Sequence, residues 1–131
     1  MLEVLKLRGI VFSGKGEGAR FLTLPEVRKQ IKDKLGVIPY PGTLNIRLTE
    51  KDEFKKAALK EAEGKKISLG SGFHTGIVFE ARLKNGVQCG IVIPQIPEYP
   101  EDVIEVIAPT ELREDLKLED GDLLEIDILI E

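Results

Sequence analysis

The chain has few of the residues that bind metals through sulfur or imidazole. Its 131 residues include one cysteine, Cys89, and one histidine, His74. An internal disulfide and a cysteine-built zinc site are therefore excluded. Tryptophan is absent and aromatic residues make up 5% of the chain, whereas hydrophobic residues reach 42%. The core must be mostly aliphatic, and the abundance of Leu, Ile and Val favours strands.

A basic excess is also missing. The chain carries 19 basic and 23 acidic side chains, a formal charge of −4, and the two signs alternate along most of the sequence. Nucleic-acid binders usually show a basic excess or a basic stripe, so no nucleic acid is expected among the partners. No apolar run approaches the ~20 residues of a membrane-spanning helix, and charges interrupt the apolar N-terminal segment. We therefore expect a soluble, cytoplasmic protein without a signal peptide or membrane contact.

The length is that of one domain, and neither a repeat nor a low-complexity segment divides it. We predict a single domain over residues 1–131. Charged residues reach 32%, while only two Asn and three Gln are present. That balance is typical of heat-adapted proteins.

Most of the sequence predicts β structure. Alternating apolar and polar residues indicate a first strand, and the chain is rich in strand-forming residues from Ile67 onward. Asn85-Gly86 is a strong hairpin signal. The predicted strands are 3–12, 43–48, 74–83, 87–93, 103–107 and 123–130. Five or six strands with two or three short inserted helices predict a mainly β fold, a small closed six-stranded β-barrel, since closure removes exposed edges.

Two helices are predicted between the early strands. The first begins at Thr23, which has the spacing of a capping box with Glu26. The second runs from about residue 50 to 63, and its Asp52–Lys56 pair has a favourable spacing for a salt bridge along one helix face. Its apolar face is small, so we expect this helix to lie on the surface.

The segment Ser13 to Arg20 contains three glycines at alternate positions. Glycines leave backbone N–H groups unshielded, so these groups can point into one concavity that binds an anion. Lys15 and Arg20 add positive charge suited to phosphate oxygens. The spacing differs from that of a Walker loop and of the dinucleotide-binding fingerprint. Taken alone, the segment fits a phosphate-binding nest and a flexible connecting loop equally well.

A second polar pattern follows the PYPG segment at 39–42. Thr43 and Asn45 alternate at the start of a predicted strand, so their side chains point to the same side. Hydroxyl and amide oxygens suit Mg²⁺, which uses few protein ligands and shares phosphate oxygens. The alternative is an ordinary polar face on a half-exposed strand, and these residues alone favour that alternative.

The third pattern is a carboxylate within an apolar strand. Glu105 alternates with Ile104 and Val106, so it points to the opposite side of the strand. It faces either water or a cleft, and in a cleft it could orient or deprotonate a hydroxyl. Residues 110–116 then have room for about two helical turns, whose start offers backbone groups to a ligand.

Taken together, these three patterns resemble one family. GxGEGxxF at 14–21, PYxGTLN at 39–45 and IExIAPxxLR at 104–113 occur in this order in the archaeal CTP-dependent riboflavin kinases. The similarity spans nearly the whole chain. Some members carry an additional N-terminal helix-turn-helix domain, to which nothing in this sequence corresponds. The family's fold is a cradle-loop β-barrel, in agreement with the predicted strands.

The resemblance implies a role for each motif. Thr43 and Asn45 would hold Mg²⁺ as the metal cofactor. Glu105 would contact the flavin, and it is the candidate catalytic residue that positions or deprotonates the hydroxyl. The nucleotide, CTP or its product CDP, would be bound by Lys15, Gly16, Glu17, Gly18, Ala19, Arg20, Thr110, Glu111, Leu112 and Arg113. Where relatives often place a flavin-contacting Thr, this chain has Pro97, which offers no donor, with Tyr99 two residues on.

The activity that the resemblance implies is phosphoryl transfer from CTP to riboflavin, giving FMN and CDP. We expect a monomer whose partners are these small molecules. The alternative is a non-catalytic barrel that binds a nucleotide or flavin as a sensor, or that contacts DNA, although the charge of −4 weakens the DNA version. His74 is assigned no role. Cys89 is expected to pack in the core, and Asp120 and Asp122 to serve a turn.

Overall fold

The computed structural model describes residues 3–14, 17–62, 64–69, 75–84 and 86–130. Seven strands and four helices occur in these ranges, in the order β1 (Glu3–Phe12), α1 (Glu17–Leu22), α2 (Pro25–Leu35), β2 (Leu44–Leu48), α3 (Lys55–Glu61), β3 (Lys65–Ser68), β4 (Thr75–Leu83), β5 (Gln88–Pro94), β6 (Val103–Ile107), α4 (Leu112–Asp115) and β7 (Leu123–Ile130). β3 is additional to the six predicted strands. Within the described ranges, no helix is long and apolar enough to cross a membrane.

Six of the strands close into a barrel. The described strands pair antiparallel in the order β4-β5-β6-β2-β1-β7, and the second half of β4 returns to β7 through Ala81 with Ile128 and Leu83 with Ile126. The first half of β4 pairs instead with β3. Closure pairs the backbone groups that would otherwise form two free sheet edges. The predicted six-stranded barrel is confirmed, with one extra strand beside it.

Two hydrophobic cores lie on either side of the barrel wall. Alternate strand residues fill the interior, such as Leu44, Ile46 and Leu48 of β2. The second core lies outside, where α2 packs against the wall. Its members are Leu22, Val27, Ile31, Leu35, Ile67, Leu69, Val78, Val92 and Ile107. The alternation that turns Leu44 and Ile46 inward turns Asn45 outward.

The structure has a short helix before the first predicted one, and the first predicted helix, α2, begins later than expected. The sequence did not predict α1, which begins at Glu17, within the segment from Ser13 to Arg20 that was expected to be a phosphate-binding nest or a connecting loop. The Thr23 hydroxyl donates to the carbonyl oxygen of Arg20 at 2.7 Å, and α2 begins at Pro25 without a side-chain cap. The capping-box prediction at Thr23 is therefore wrong, because the end of α1 takes the hydroxyl that would have capped α2.

α3 is shorter than predicted, and the predicted Asp52–Lys56 pair does not form. The buried Asp52 carboxylate instead accepts hydrogen bonds from the Arg8 backbone N–H at 2.8 Å and from the Arg8 guanidinium at 3.2 Å. The Arg8 side chain lowers the pKa of Asp52, and Lys55 also pairs with it at 3.2 Å. Lys56 lies on the buried side of α3 with Leu59. Spacing along one helix could not reveal a partner 44 positions away.

Candidate active site

A buried carboxylate lies on the outer face of β6. Glu105 is 6% exposed, and each of its oxygens accepts a hydrogen bond. The Thr43 hydroxyl donates to Oε1 and the Tyr99 hydroxyl to Oε2, both at 2.7 Å. A carboxylate that loses its hydration needs such donors, because an unsatisfied buried charge is strongly unfavourable. The alternative in which Glu105 simply faces water is therefore wrong.

Asn45 lies beside Glu105 on the same outer face. The two residues are direct partners in the pairing of β2 with β6, and Thr43 immediately precedes β2. The side chains of Thr43 and Asn45 therefore leave the chain in the same direction. Because the Thr43 O–H donates a hydrogen bond to Glu105, the lone pairs of the hydroxyl oxygen remain available to a ligand. This face offers a hydroxyl and an amide oxygen, which are hard donors that suit Mg²⁺.

The described ranges hold no larger cluster of metal-binding side chains. No cluster of three or more His, Cys, Asp or Glu side chains that could hold a metal ion occurs there. A cation bound by Thr43 and Asn45 alone would have only these protein ligands and would keep positions for water or phosphate oxygens. That is the usual coordination of Mg²⁺ in sites that bind nucleotides.

The glycine-rich segment begins against Asn45. A Cβ atom at Gly14 would lie 2.5 Å from Nδ2 and 2.9 Å from Cγ of Asn45. These distances are shorter than an ordinary contact, so glycine is the residue that leaves the amide in place. The glycine-rich motif and the PYxGTLN motif therefore meet at the Asn45 amide.

An open pocket adjoins Thr43 at the end of the barrel where β2 begins and β6 ends. Its volume is about 190 Å³. It is lined by Tyr40, Gly42, Thr43, Leu44, Val106, Ala108, Thr110, Glu111, Leu112 and Arg113. The barrel strands supply apolar walls, and α4 with the residues before it supplies polar groups. The four residues from Thr110 to Arg113 thus share a pocket with a candidate metal ligand.

Tyr40 reaches this pocket from the PYPG segment. Its backbone N–H donates to the carbonyl oxygen of Ala108 at 2.7 Å, which holds the segment against the end of β6. Its hydroxyl donates to Oε2 of Glu111 at 3.3 Å. The Glu111 carboxylate raises the pKa of Tyr40. An aromatic ring and a carboxylate therefore lie together, a pair of groups that can contact a flat heterocycle.

Arg113 ties three parts of the chain together. Its guanidinium donates to the carbonyl oxygen of Phe12 at 3.1 Å and to Oδ1 of Asp120 at 2.6 Å. The Ser13 hydroxyl donates to the same carboxylate, 2.8 Å from Oδ2. The hydrogen bond from Arg113 lowers the pKa of Asp120. These contacts join α4, the end of β1 and the turn before β7, and they fix the start of the glycine-rich segment near the pocket.

The structure brings together three sets of predicted site residues at one end of the barrel: the candidate metal ligands Thr43 and Asn45, the candidate flavin contact Glu105, and Thr110–Arg113. Lys15 and Gly16 lie outside the described residues. Residues 17–20 form the start of α1, and the side chain of Arg20 is exposed. Contacts of these residues with a nucleotide stay predictions.

The sequence did not indicate the contacts of Tyr99 and Asp120. Tyr99 is only six positions from Glu105, but it lies in a segment without regular structure whose course no motif predicts. Asp120 accepts a hydrogen bond from Ser13, which lies 107 positions away in the sequence. An aspartate beside a glycine is common in turns, so nothing in the sequence indicated this long-range contact. Asp122 does serve that turn, by accepting a hydrogen bond from a backbone N–H at 2.8 Å.

The two remaining residues singled out in the sequence lie away from this site or outside the described ranges. Cys89 is buried in the barrel core, where burial raises the pKa of its thiol to about 12. Its predicted packing role is confirmed. His74 lies outside the described residues.

The fold and the site define a small closed antiparallel β-barrel with a polar pocket at one end. That pocket adjoins a candidate cation site and a buried carboxylate, groups suited to chemistry on a phosphorylated small molecule. Residues 11–128 match the family model CTP-dep_RFKase, described as domain of unknown function DUF120. The chain therefore belongs to the CTP-dependent riboflavin kinase family, as its three motifs indicated.

Archaeal relatives match most of the chain. It is 41% identical to the riboflavin kinase of Archaeoglobus fulgidus, over 96% of this chain and 55% of that protein. It is 43% identical to the riboflavin kinase of Pyrobaculum islandicum, over 97% of this chain and 62% of that protein. It is 39% identical to the riboflavin kinase of Methanosarcina acetivorans, over 92% of this chain and 52% of that protein. The chain thus spans between about half and three fifths of the length of these relatives.

Proposed function

We propose that this barrel transfers the terminal phosphoryl group of CTP to the 5′-hydroxyl of riboflavin, producing FMN and CDP. The observation that carries the proposal is the position of Thr43, which lines the pocket and also donates to Glu105. A phosphate at the pocket and a hydroxyl beside Glu105 would meet at this residue. Family membership and the riboflavin kinases among the relatives support the choice of substrates.

Mg²⁺ is the proposed metal cofactor, held by Thr43 and Asn45. The ion would neutralise the charge that develops on phosphate oxygens during transfer. The protein's part is to keep the two oxygen ligands in place. Glu105 fixes the Thr43 hydroxyl by accepting a hydrogen bond from it, and Gly14 leaves room for the Asn45 amide.

Glu105 is the proposed contact for the acceptor hydroxyl. Each of its oxygens accepts one hydrogen bond from the protein, and a carboxylate oxygen can accept a second. A hydroxyl bound there would donate to Glu105 and would be held in line with the terminal phosphorus. Phosphoryl transfer depends mainly on alignment and charge stabilisation. Glu105 therefore positions the hydroxyl, and it can also accept the proton that the hydroxyl loses.

CTP is proposed to lie along the pocket and the glycine-rich segment. Lys15 to Arg20 would contact the phosphates, and Thr110 to Arg113 would contact the rest of the nucleotide. The contacts of Arg113 support this arrangement, because they tie the start of the glycine-rich segment to the pocket through Phe12 and Asp120.

Incubation of the purified chain with riboflavin, Mg²⁺ and one nucleotide at a time tests the proposal, with FMN separated from riboflavin by chromatography. CTP should give FMN faster than ATP, and Glu105→Gln should lower the CTP-dependent rate. Equal FMN yields from CTP and ATP would contradict the assignment of the donor. Binding of CDP and riboflavin without any FMN would assign the barrel as a ligand sensor instead.

A further inference from the structure

A second buried polar group lies close to Glu105. Lys56 of α3 is 3% exposed, and its ammonium donates to the carbonyl oxygens of Pro100 at 2.9 Å and Val103 at 2.8 Å. The same ammonium lies 5.1 Å from the centre of the Tyr99 ring, within the range of a cation–π contact. All three contacts fall on the short stretch that leads into β6.

Stability alone does not account for this lysine. In the part of the chain that the structure describes, Lys56 forms no salt bridge. Burial, together with the nearby charge of Lys60, lowers the pKa of Lys56 to about 8. The carboxylates of Glu101, Asp102 and Glu105 oppose that shift. Because a buried ammonium loses its hydration, a methionine of similar length could fill this space at a lower cost. The hydrogen bonds of Lys56 hold two backbone carbonyl oxygens of the stretch that leads into β6.

The stretch held by Lys56 contains an unusual backbone conformation. Glu98, immediately before Tyr99, has a φ of 67°, in the left-handed region that favours glycine. A residue keeps such a conformation only where surrounding contacts fix it. The Tyr99 N–H also donates to the carbonyl oxygen of Ile96 at 3.1 Å, which closes a turn. This turn and the contacts of Lys56 together determine where the Tyr99 hydroxyl lies.

We propose that Lys56 and Tyr99 are positioning residues for Glu105, and that they hold its carboxylate in place for the acceptor hydroxyl of the flavin. This inference rests on the proposed kinase function. Lys56 fixes the turn, the turn fixes Tyr99, and the Tyr99 hydroxyl fixes Oε2 of Glu105. Thr43 fixes the other oxygen. The acceptor side of the site is thus set by α3, an element that lies outside all three sequence motifs.

Two substitutions each remove one link of this chain of contacts. Lys56→Met keeps the length of the side chain and removes the ammonium, whereas Tyr99→Phe keeps the ring and removes the hydroxyl. Each should lower kcat for FMN formation by roughly ten- to a hundredfold, because a displacement of ~1 Å at a reacting group has an effect of this order. The KM for CTP should not change. Since Lys56 acts through Tyr99, the double variant should be about as slow as the slower single variant.

Lys60→Met is the matched control. Lys60 lies one turn further along α3 and contacts the same stretch through an exposed salt bridge with Glu101, at 2.9 Å. Exposed pairs of this kind contribute little, so the kcat of this variant should equal that of the wild type. Rates are compared per folded molecule, with folding checked by urea unfolding. If Lys56→Met does not fold, Tyr99→Phe decides the outcome, because it removes only one hydroxyl.

An active wild type with unchanged kcat in both variants would overturn the proposal, and so would effects that multiply in the double variant. A wild type that makes no FMN would count against the kinase function, and ligand binding would then decide the positioning role. Riboflavin affinity from flavin fluorescence and CDP affinity from calorimetry would be compared across the same variants. About tenfold weaker riboflavin binding with unchanged CDP binding supports the role. Unchanged or absent riboflavin binding overturns it.

Discussion

Replacement of Gly14 by alanine tests whether the Asn45 amide takes part in the chemistry. The added Cβ would lie 2.5 Å from Nδ2 of Asn45, so the amide must retreat by about 1 Å to reach an ordinary contact of roughly 3.5 Å. Gly14 is not among the glycines with positive φ, so its backbone accepts alanine. The free energy of unfolding should change by less than about 1 kcal/mol, because the obstructing atoms end a flexible side chain. Displacement of the proposed metal ligand by this distance should lower kcat/KM by on the order of a hundredfold.

The assay measures FMN formation from CTP together with urea unfolding of each variant. Gly86→Ala is a control with the opposite pattern, since Gly86 has a φ of 84° and an added Cβ meets nothing within 4 Å. Alanine there should cost about 1–2 kcal/mol of stability through backbone strain and leave activity per folded molecule unchanged. In an Asn45→Ala background, Gly14→Ala should have no further effect, because the clash is gone. Full activity of a folded Gly14→Ala protein would refute the reasoning.

Gly18→Val should weaken CDP binding by at least about tenfold and leave riboflavin binding unchanged, since a side chain would block the approach of phosphate to the backbone. Calorimetric titration with each ligand measures this, and an unchanged CDP affinity would make the segment a mere connector. The pKa of Lys56 is about 8 in the folded chain, below its ordinary 10.5, so between these values the unfolded chain binds more protons. The free energy of unfolding of the wild type, relative to that of Lys56→Met, should therefore rise with pH in that window, by at most about 1.4 kcal/mol per pH unit. Urea unfolding of both proteins across the window checks this, and a constant difference would contradict it.

The barrel could be predicted because strand alternation is a local pattern that the finished fold preserves. Leu44 and Ile46 fill the interior, while Asn45 between them reaches the outer face, as period-two alternation requires. The helix starts could not be predicted with the same success. Thr23 has the spacing of a cap, but the end of the preceding helix uses its hydroxyl. Where two elements compete for one side chain, local spacing cannot decide between them.

In the candidate site, too, some features could be predicted from local sequence and others could not. Thr43, Asn45 and Glu105 stand in short motifs, so the sequence could single them out before their neighbours were known. The contacts that hold them come from elsewhere in the chain. Lys56 reaches the carbonyl oxygen of Val103 across 47 positions, and no spacing rule connects the two. Such supporting contacts depend on the closed barrel, which brings distant segments together.

The proposed function depends on metal-binding oxygens on the outer face of β2 and β6. Its most direct test is the rate of FMN formation by Asn45→Ala over a range of Mg²⁺ concentrations, measured alongside the free energy of unfolding. We expect kcat/KM to fall by about a hundredfold or more, with the free energy of unfolding unchanged to within about 0.5 kcal/mol. Normal activity per folded molecule, together with a large loss of stability, would make Asn45 a structural residue and contradict the metal site.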